Sequence, residues 1–261
     1  MRFVKQCQLW SYTMRFSNLI ASEIRTLIQK PILVISPIAA MEQHGPHLGV
    51  ATDTVCVTAV AEAVEREMPD QVLLLPTLWL GASDHHLRCS GTLSVPADLY
   101  AQLLSAMLEP LIIDGFRKVL VLNGHGGNID PMHVALRQLQ RKHPQSQLSA
   151  ACYWDLAEAE MAQYVEGKRT IVGHACEIET SMIMHLAPEL VRTTQIVDDP
   201  EPEEPLLRGL FLADDMKQKT KGGAVGWPSL ANAMKGHQFL NAAKIRCLEV
   251  VSALLKRTIP Q

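Results

Sequence analysis

Apolar residues fall along this chain in short β-branched runs that alternate with longer stretches of helical periodicity. "PILVISPIAA" (31–40) predicts a fully buried strand, followed by an amphipathic helix over "VCVTAVAEAVEREM" (55–68) with Thr52 or Asp53 near its start. "QVLLLPTLWLG" (71–81) predicts the next strand, and "ADLYAQLLSAMLEPLIIDG" (97–115) a helix with Pro96 just before it and Gly115 at its end. A third buried strand is expected in "KVLVLNGHGGN" (118–128), then a helix over "PMHVALRQLQRKH" and a strand over "LSAACYWDL". Helices over "AEAEMAQYVEG" and "CEIETSMIMHL" follow, and a last one over roughly 238–257.

Strand alternating with helix is the pattern of an α/β protein whose parallel sheet is covered on both faces. In such sheets ligands bind beyond the carboxyl ends of the strands. Two stretches break the alternation. The acidic, proline-rich "VDDPEPEEPLL" (197–207) predicts a surface loop. The glycine-rich "KGGAVGWPSLANAMKG" (221–236) predicts backbone that can approach another loop closely, and it follows no strand, so it is a poor phosphate loop.

Composition narrows the class only slightly. With 261 residues, a net charge of −3 and 20% charged residues, the chain is long enough for a real core and carries no basic patch. Neither nucleic acid nor an anionic membrane is an expected partner. No run of about 18 apolar residues predicts a membrane helix, and "MRFVKQCQLWSYTMRF" lacks the apolar core of a secretory signal. The six cysteines, at 7, 56, 89, 152, 176 and 247, form no C-x-x-C pair; scattered thiols fit a reducing cytoplasm. One unit over 1–261 is expected, with 1–16 as a loose extension.

The chemistry concentrates in four polar segments. "EQHGPH" (42–47) carries Glu42, His44 and His47, with Asp53 six residues on; "SDHHLRCSGT" (83–92), "NGHGGN" (123–128) and "GHACEIET" (173–180) are the others. Carboxylates mixed with imidazoles, without paired thiolates, suit Zn²⁺, Mn²⁺ or Fe²⁺. An aspartate offers two oxygens and is a natural bridge between neighbouring metals. Each segment also has a structural reading. Asp53 could be only a helix cap, "NGHGGN" only a tight turn, and His133, His143, His185 and His237 read as hydrogen-bonded structural residues. Several of the polar groups share the edge on which an α/β sheet places its site.

Three of these segments, "PIAAMEQHGPHLGVATDT", "NGHGGN" and "HACEIETSMIMHLAPELV", resemble the signature segments of the creatininase (creatinine amidohydrolase) family, over residues 31–193. The resemblance implies a three-layer α/β/α fold with a mostly parallel central sheet, and two divalent metal ions per chain, Zn²⁺ first and Mn²⁺ or Fe²⁺ as alternatives. It implies metal ligands at Glu42, His44, Asp53 and His125. Creatininase proper has a glutamate where this chain has Gly127 and a valine where it has Glu177, which implies Glu177 as the fifth ligand, with Glu179 as the alternative. His174 matches the proton-handling histidine. Ser83, His86, Gly126, Gly127 and Trp154 are implied around the substrate.

The expected reaction is hydrolysis of a non-peptide C–N bond, most simply in a cyclic, creatinine-like amide, by a hydroxide bridging two metals, with His174 passing the proton to the leaving nitrogen. The family includes a formamide hydrolase and a peptide-cleaving member with the same "NGHGGN" loop, so deformylase or peptidase is the alternative. "KRTIVGH" (168–174) lacks a pocket tryptophan that creatininase carries before this histidine. From another class, a non-catalytic, metal-stabilised small-molecule binder would use the same residues. A serine hydrolase is disfavoured because no G-x-S-x-G elbow occurs. A homo-oligomer, hexameric by resemblance, is expected.

Overall fold

The computed structural model describes residues 14–200 and 210–258. The loose extension expected over 1–16 and the loop expected over 197–207 therefore lie largely outside the described residues.

In chain order the elements are α1 (Ala21–Leu27), β1 (Leu33–Ile38), α2 (Thr52–Glu67), β2 (Val72–Leu74), α3 (Ala97–Asp114), β3 (Lys118–Asn123), α4 (Ile129–Lys142) and β4 (Gln147–Cys152). Then come α5 (Tyr153–Leu156), α6 (Glu158–Ala162), α7 (Glu177–Leu186), α8 (Met216–Lys219) and α9 (Ala233–Lys256). The strands form a parallel sheet in the order β2-β1-β3-β4.

Alternation along the strands divides the interior in two. Leu33, Ile35, Leu120 and Leu122 face a core shared with α2, α7 and α9, whereas Val34, Val119 and Val121 face a core shared with α3 and α4. This is the expected three-layer α/β/α arrangement: side chains of period two point alternately to opposite faces, and both faces are covered by helices. The layers on the first face pack closely where α9 crosses α7. A Cβ on Gly236 would lie 1.9 Å from the Ser181 carbonyl oxygen, so only glycine permits that approach.

Most predicted boundaries hold to within a few residues, including Pro96 before α3 and the Gly115 cap after it, at φ 125°. The second strand is shorter than expected. It stops at Leu74, and beyond Pro76 the chain meets β1 only at the isolated bridge Ile38–Leu78. β4 ends at Cys152, so Tyr153–Leu156 turns into α5. α9 begins five residues early because the Asn232 side chain accepts from Lys235 N and caps it.

The glycine-rich stretch does make the close approach expected of it. Val225 pairs with His174 as an isolated antiparallel bridge, Val225 N donating to His174 O at 2.6 Å. This pairing fixes the backbone on which His174 stands.

Candidate metal centre

The site lies beyond the carboxyl ends of β1 and β3, with a contribution from the first turn of α7. Glu42 and His44 follow β1, Asp53 stands in the first turn of α2, His125 follows β3, and Glu179 in α7 completes the group. All five side chains are buried. Asp53 is not merely a cap: α2 has no side-chain cap bond, and the carboxylate turns inward between two imidazoles. Asp53 Oδ1 lies 2.9 Å from His44 Nε2, and Oδ2 lies 3.2 Å from His125 Nδ1.

The two imidazoles are oriented from behind. His44 Nδ1 is 3.1 Å from the Glu42 carbonyl oxygen, so that nitrogen carries the proton and donates. His125 Nε2 is 3.2 Å from the Ala82 carbonyl oxygen and donates to it, beside Ser83 Oγ at 3.1 Å. Each ring therefore turns its other nitrogen, with its lone pair, toward carboxylates. His125 Nδ1 faces Glu42 Oε1 and Asp53 Oδ2, both at 3.2 Å, while His44 Nε2 faces Asp53 at 2.9 Å and Glu179 at 4.0 Å.

Lone pairs facing carboxylates repel unless a cation lies between them. Glu42 Oε2, His44 Nε2 and Asp53 Oδ2 are buried without a hydrogen-bond partner, which is the donor set a divalent ion satisfies. Their electrostatics agree. Burial alone would lower the pKa of both imidazoles, but Asp53 lifts His44 to about 10, and Glu42 and Asp53 lift His125 well above its ordinary value. Asp53 is pushed below the usual carboxylate range by His44 and His125 against the cost of burial. With no ion bound, a second proton fills that place on each ring, and metal binding releases it.

Glu42, His125 and Asp53 could hold one ion, and His44, Glu179 and Asp53 a second, with the two oxygens of Asp53 shared between them. Glu42, His44 and Asp53 have ligand atoms within 4.8 Å of one another, as do His44, His174 and Glu179.

Of the two candidate carboxylates on α7, Glu179 faces the cluster and Glu177 does not. Two residues apart on a helix, these side chains project about 200° apart, so only one can face the cluster. Glu177 faces away: its Oε1 accepts from Lys235 Nζ at 2.6 Å and from Glu166 N at 3.0 Å, and its Oε2 from Gly167 N at 2.9 Å. Glu179 places Oε2 3.4 Å from Cys176 N in a capping box and Oε1 toward His44. Burial raises its pKa to about 7, opposed by His44.

Gly127 cannot carry a ligand. A Cβ there would lie 2.1 Å from the Ala82 carbonyl oxygen, 2.5 Å from His125 Nε2 and 2.8 Å from His85 Cε1. Gly127 thus serves close packing behind His125 and, unlike Gly126, does not line the cavity. Ser83, expected around the substrate, is fully buried with its Oγ 3.1 Å from His125 Nε2.

His86 does border the cavity, and Gln43, which the sequence reading passed over, orients it. Gly45 N donates to Gln43 Oε1 at 3.0 Å, fixing the amide; Gln43 Nε2 then donates to Gly223 O at 3.1 Å and His86 Nδ1 at 2.8 Å. His86 must therefore carry its proton on Nε2, which lies 3.3 Å from Glu42 Oε1.

The same amide leaves His174 Nε2 to donate to the Gln43 carbonyl oxygen at 2.8 Å. Its bare Nδ1 faces Glu42 Oε1 at 3.7 Å, and burial, with the nearby His44, lowers its pKa to about 3. His174 is held neutral with a lone pair aimed at the cluster.

These groups open into a cavity of about 310 Å³ that Gly126, Trp154, Arg169, Lys219 and His85 also line. Sequence reasoning missed the last three, although the doubled histidine of "SDHH" was a usable signal. Of the other polar groups, His47 turns away to Thr180 Oγ1 at 2.9 Å. Cys176 is buried at the cap of α7, and burial raises its thiol to about 12, which removes it as a nucleophile.

Comparison with known proteins shows the family. The family profile described as creatinine amidohydrolase matches residues 17–251. A mycofactocin precursor peptide peptidase of Mycobacterium ulcerans is 31% identical over 213 residues, 78% of each chain. The creatinine amidohydrolase of Pseudomonas putida is 27% identical over 242 residues, 87% of this chain and 90% of that one. A solved creatininase shares the fold at a TM-score of 0.80 with 22% identity, over 94% of this chain and 99% of that one. Solved creatininases include a Zn–Zn form and an Mn form. The chain belongs to the creatininase family and is a metal-dependent hydrolase of C–N bonds.

Proposed function

We propose that the chain is a dinuclear metal amidohydrolase whose substrate is an open-chain amide, the end of a peptide included. One observation carries the dinuclear reading: the two oxygens of Asp53 are shared between His44 Nε2 and His125 Nδ1, the ring nitrogens left over from the bonds that orient each ring. Glu42, Asp53 and His125 would hold one ion and His44, Asp53 and Glu179 the other; bound there, a metal pair supplies hydroxide at neutral pH and polarises a carbonyl.

The protein's own part is to hold the amide and to move the proton. His174 Nδ1 is the acceptor nearest the cluster with no other donor to satisfy, and its Nε2–H on Gln43 O keeps that tautomer. It takes the proton from the attacking water and returns it to the departing nitrogen, without which an amine is a poor leaving group. Trp154 forms a wall against which the substrate packs.

An open-chain substrate is favoured over the cyclic amide because the cavity is not a closed slot. It adjoins a second cavity of about 210 Å³, Trp154 and Val172 lining both. A ring sandwiched between flat faces needs an aromatic opposite Trp154, whereas a chain uses the continuation. The peptidase among the relatives supports the same choice.

The test is turnover by metal-reconstituted protein on three substrate sets: short peptides, formamides and cyclic amides including creatinine. Hydrolysis of an open-chain set is expected. Turnover restricted to the cyclic set would return the creatinine-like reading. About two ions bound with no turnover on any set would favour the binding-protein reading.

A further inference from the structure

Two imidazoles of opposite polarity stand side by side at the edge of the cavity. The rings of His86 and His174 have centroids 4.5 Å apart. Both turn a nitrogen to one oxygen, Glu42 Oε1, with His86 Nε2 at 3.3 Å and His174 Nδ1 at 3.7 Å. His174 presents a lone pair there and His86 an N–H. We propose that His86 is a second catalytic imidazole, whose Nε2–H holds the carbonyl oxygen of the scissile amide as that oxygen gains charge, and that Gln43 is the positioning residue that sets its polarity. This inference rests on the amidohydrolase reading and adds a donor to its acceptor.

A single residue sets both tautomers. Gln43 Oε1 is taken by Gly45 N at 3.0 Å, so the amide atom 2.8 Å from His86 Nδ1 is the donor Nε2, and Nδ1 accepts. The backbone oxygen of the same residue accepts from His174 Nε2 at 2.8 Å, which bares His174 Nδ1. Gln43 is itself held, its N donating to Thr92 Oγ1 and its Nε2 to Gly223 O, each at 3.1 Å. The backbone under His86 is fixed as well. His86 N donates to Ser83 O at 2.9 Å, and the His85 ring packs against His86 with centroids 4.2 Å apart. From the far side, Arg88 Nη1 reaches Asp215 Oδ2 at 2.6 Å, tying the 3-10 turn Asp84–Cys89 to the residue that caps α8 through Gln218 N.

The His86 donor is not spent within the protein. Its 3.3 Å to Glu42 Oε1 exceeds the roughly 2.7–3.2 Å of an N–H···O bond, and the ring, though buried, borders the cavity. A buried N–H without a close acceptor is costly, and the oxygen of an amide seated in the cavity is an acceptor that removes the cost. Ligand atoms of Glu42, His86 and His174 lie within 4.8 Å of one another, near enough for an ion, but a ring whose proton sits on Nε2 is no ligand there. The charge on the amide oxygen grows as hydroxide attacks, so a donor already in place favours the transition state over the bound amide, with no reorganisation. His86 keeps its proton throughout. The proton that the leaving nitrogen needs comes from His174.

Two readouts other than turnover test this. Nitrogen NMR on histidine-labelled protein reads the tautomer: the His86 proton should sit on Nε2 alone, and Gln43→Met should let it exchange between the two nitrogens. A proton on Nδ1 in the unaltered protein, or no change in Gln43→Met, would overturn the role given to Gln43. The second readout is the affinity of zinc-loaded protein for dimethylphosphinate and isobutyrate, monoanions of similar size of which only the first is tetrahedral about the atom that bears the oxygens. His86→Phe should weaken phosphinate binding by at least about tenfold, the worth of one hydrogen bond to a charged group, and leave zinc content and isobutyrate affinity unchanged. No weakening, or equal weakening of both probes, overturns the donor role, and loss of zinc would make His86 a support of Glu42 instead. If the unaltered protein takes up no zinc, or takes it up and binds neither probe, the amidohydrolase reading itself falls. Should His86→Phe fail to fold, Gln43→Met must show the same selective loss of phosphinate, and its absence there overturns the proposal.

Discussion

Lys235 Nζ lies 2.6 Å from Glu177 Oε1 and 2.8 Å from Glu166 Oε1, with Lys235 and Glu177 both buried. The pair joins α9 to α7 and, through Glu166 N and Gly167 N, pins the loop that leads to His174. Removing one partner leaves a buried charge uncompensated. Lys235→Met should therefore cost about 3–5 kcal/mol in urea unfolding. The double variant Glu177→Gln, Lys235→Met should recover much of that loss, and an unchanged midpoint in the single variant would contradict the pairing.

Metal content separates the two glutamates of α7. Glu179→Gln should weaken metal binding by more than the roughly 10–100-fold typical of an outer partner, while Glu177→Gln should retain its ions. Metal analysis of both proteins after identical loading reads the difference. The opposite order would reinstate Glu177 as the ligand.

The reason this choice could not be made from sequence is physical. Both glutamates occupy the first turn of one helix, and the residue that draws one of them away, Lys235, lies on a helix distant in sequence. Glu42, His44, Asp53 and His125 were legible because each follows a buried strand or begins the next helix, and period-two burial locates those ends. Trp154 does line the cavity, whereas the tight packing of Ser83 and Gly127 beside His125 was not legible, since a buried packing role and a substrate contact leave the same letters in a loop. α8 left no trace: four residues carry no periodicity, and its cap and its Arg88 tie exist only in three dimensions.

His174 tests the division of labour. His174→Ala should keep its metals and lose turnover by about 10²–10⁴-fold, the usual worth of a positioned proton carrier. Loss of metal in this variant would move His174 among the ligands, a role its distance to His44 and Glu179 permits.

The Gly127 contact makes a stability prediction. Gly127→Ala places a methyl group against the Ala82 carbonyl oxygen and His125 Nε2. An overpacked site of this kind costs about 1–3 kcal/mol, and because His125 must shift, metal affinity should fall with it. Thermal melts with and without metal would show both losses; an unaffected metal shift would separate the glycine from the site.

Away from the site, Glu65 should shape the pH dependence of stability. It is fully buried in α2, with Arg15 Nε 3.8 Å away, and burial raises its pKa above the ordinary 4.5 in spite of Arg15. A folded-state pKa above the unfolded one means the contribution is complete below the unfolded value and is lost as pH rises through the folded value. Glu65→Gln should therefore gain stability relative to the unaltered protein as pH rises above 4.5. A difference that stays constant over that range would show that Glu65 does not titrate abnormally.

The parallel sheet gathers the ligand loops on one edge, yet Glu42 and Glu179 are separated by more than half the chain. A nascent chain emerges from its amino end, so Glu42, His44 and Asp53 are synthesised long before α7 exists. On the proposed ligand set, the second group of ligands would be complete only when α7 docks on α2. Metal capture would then be a late checkpoint of assembly: a chain truncated before Glu179 would carry a half-made, weak site, and a full ion pair would mark a chain whose fold has closed.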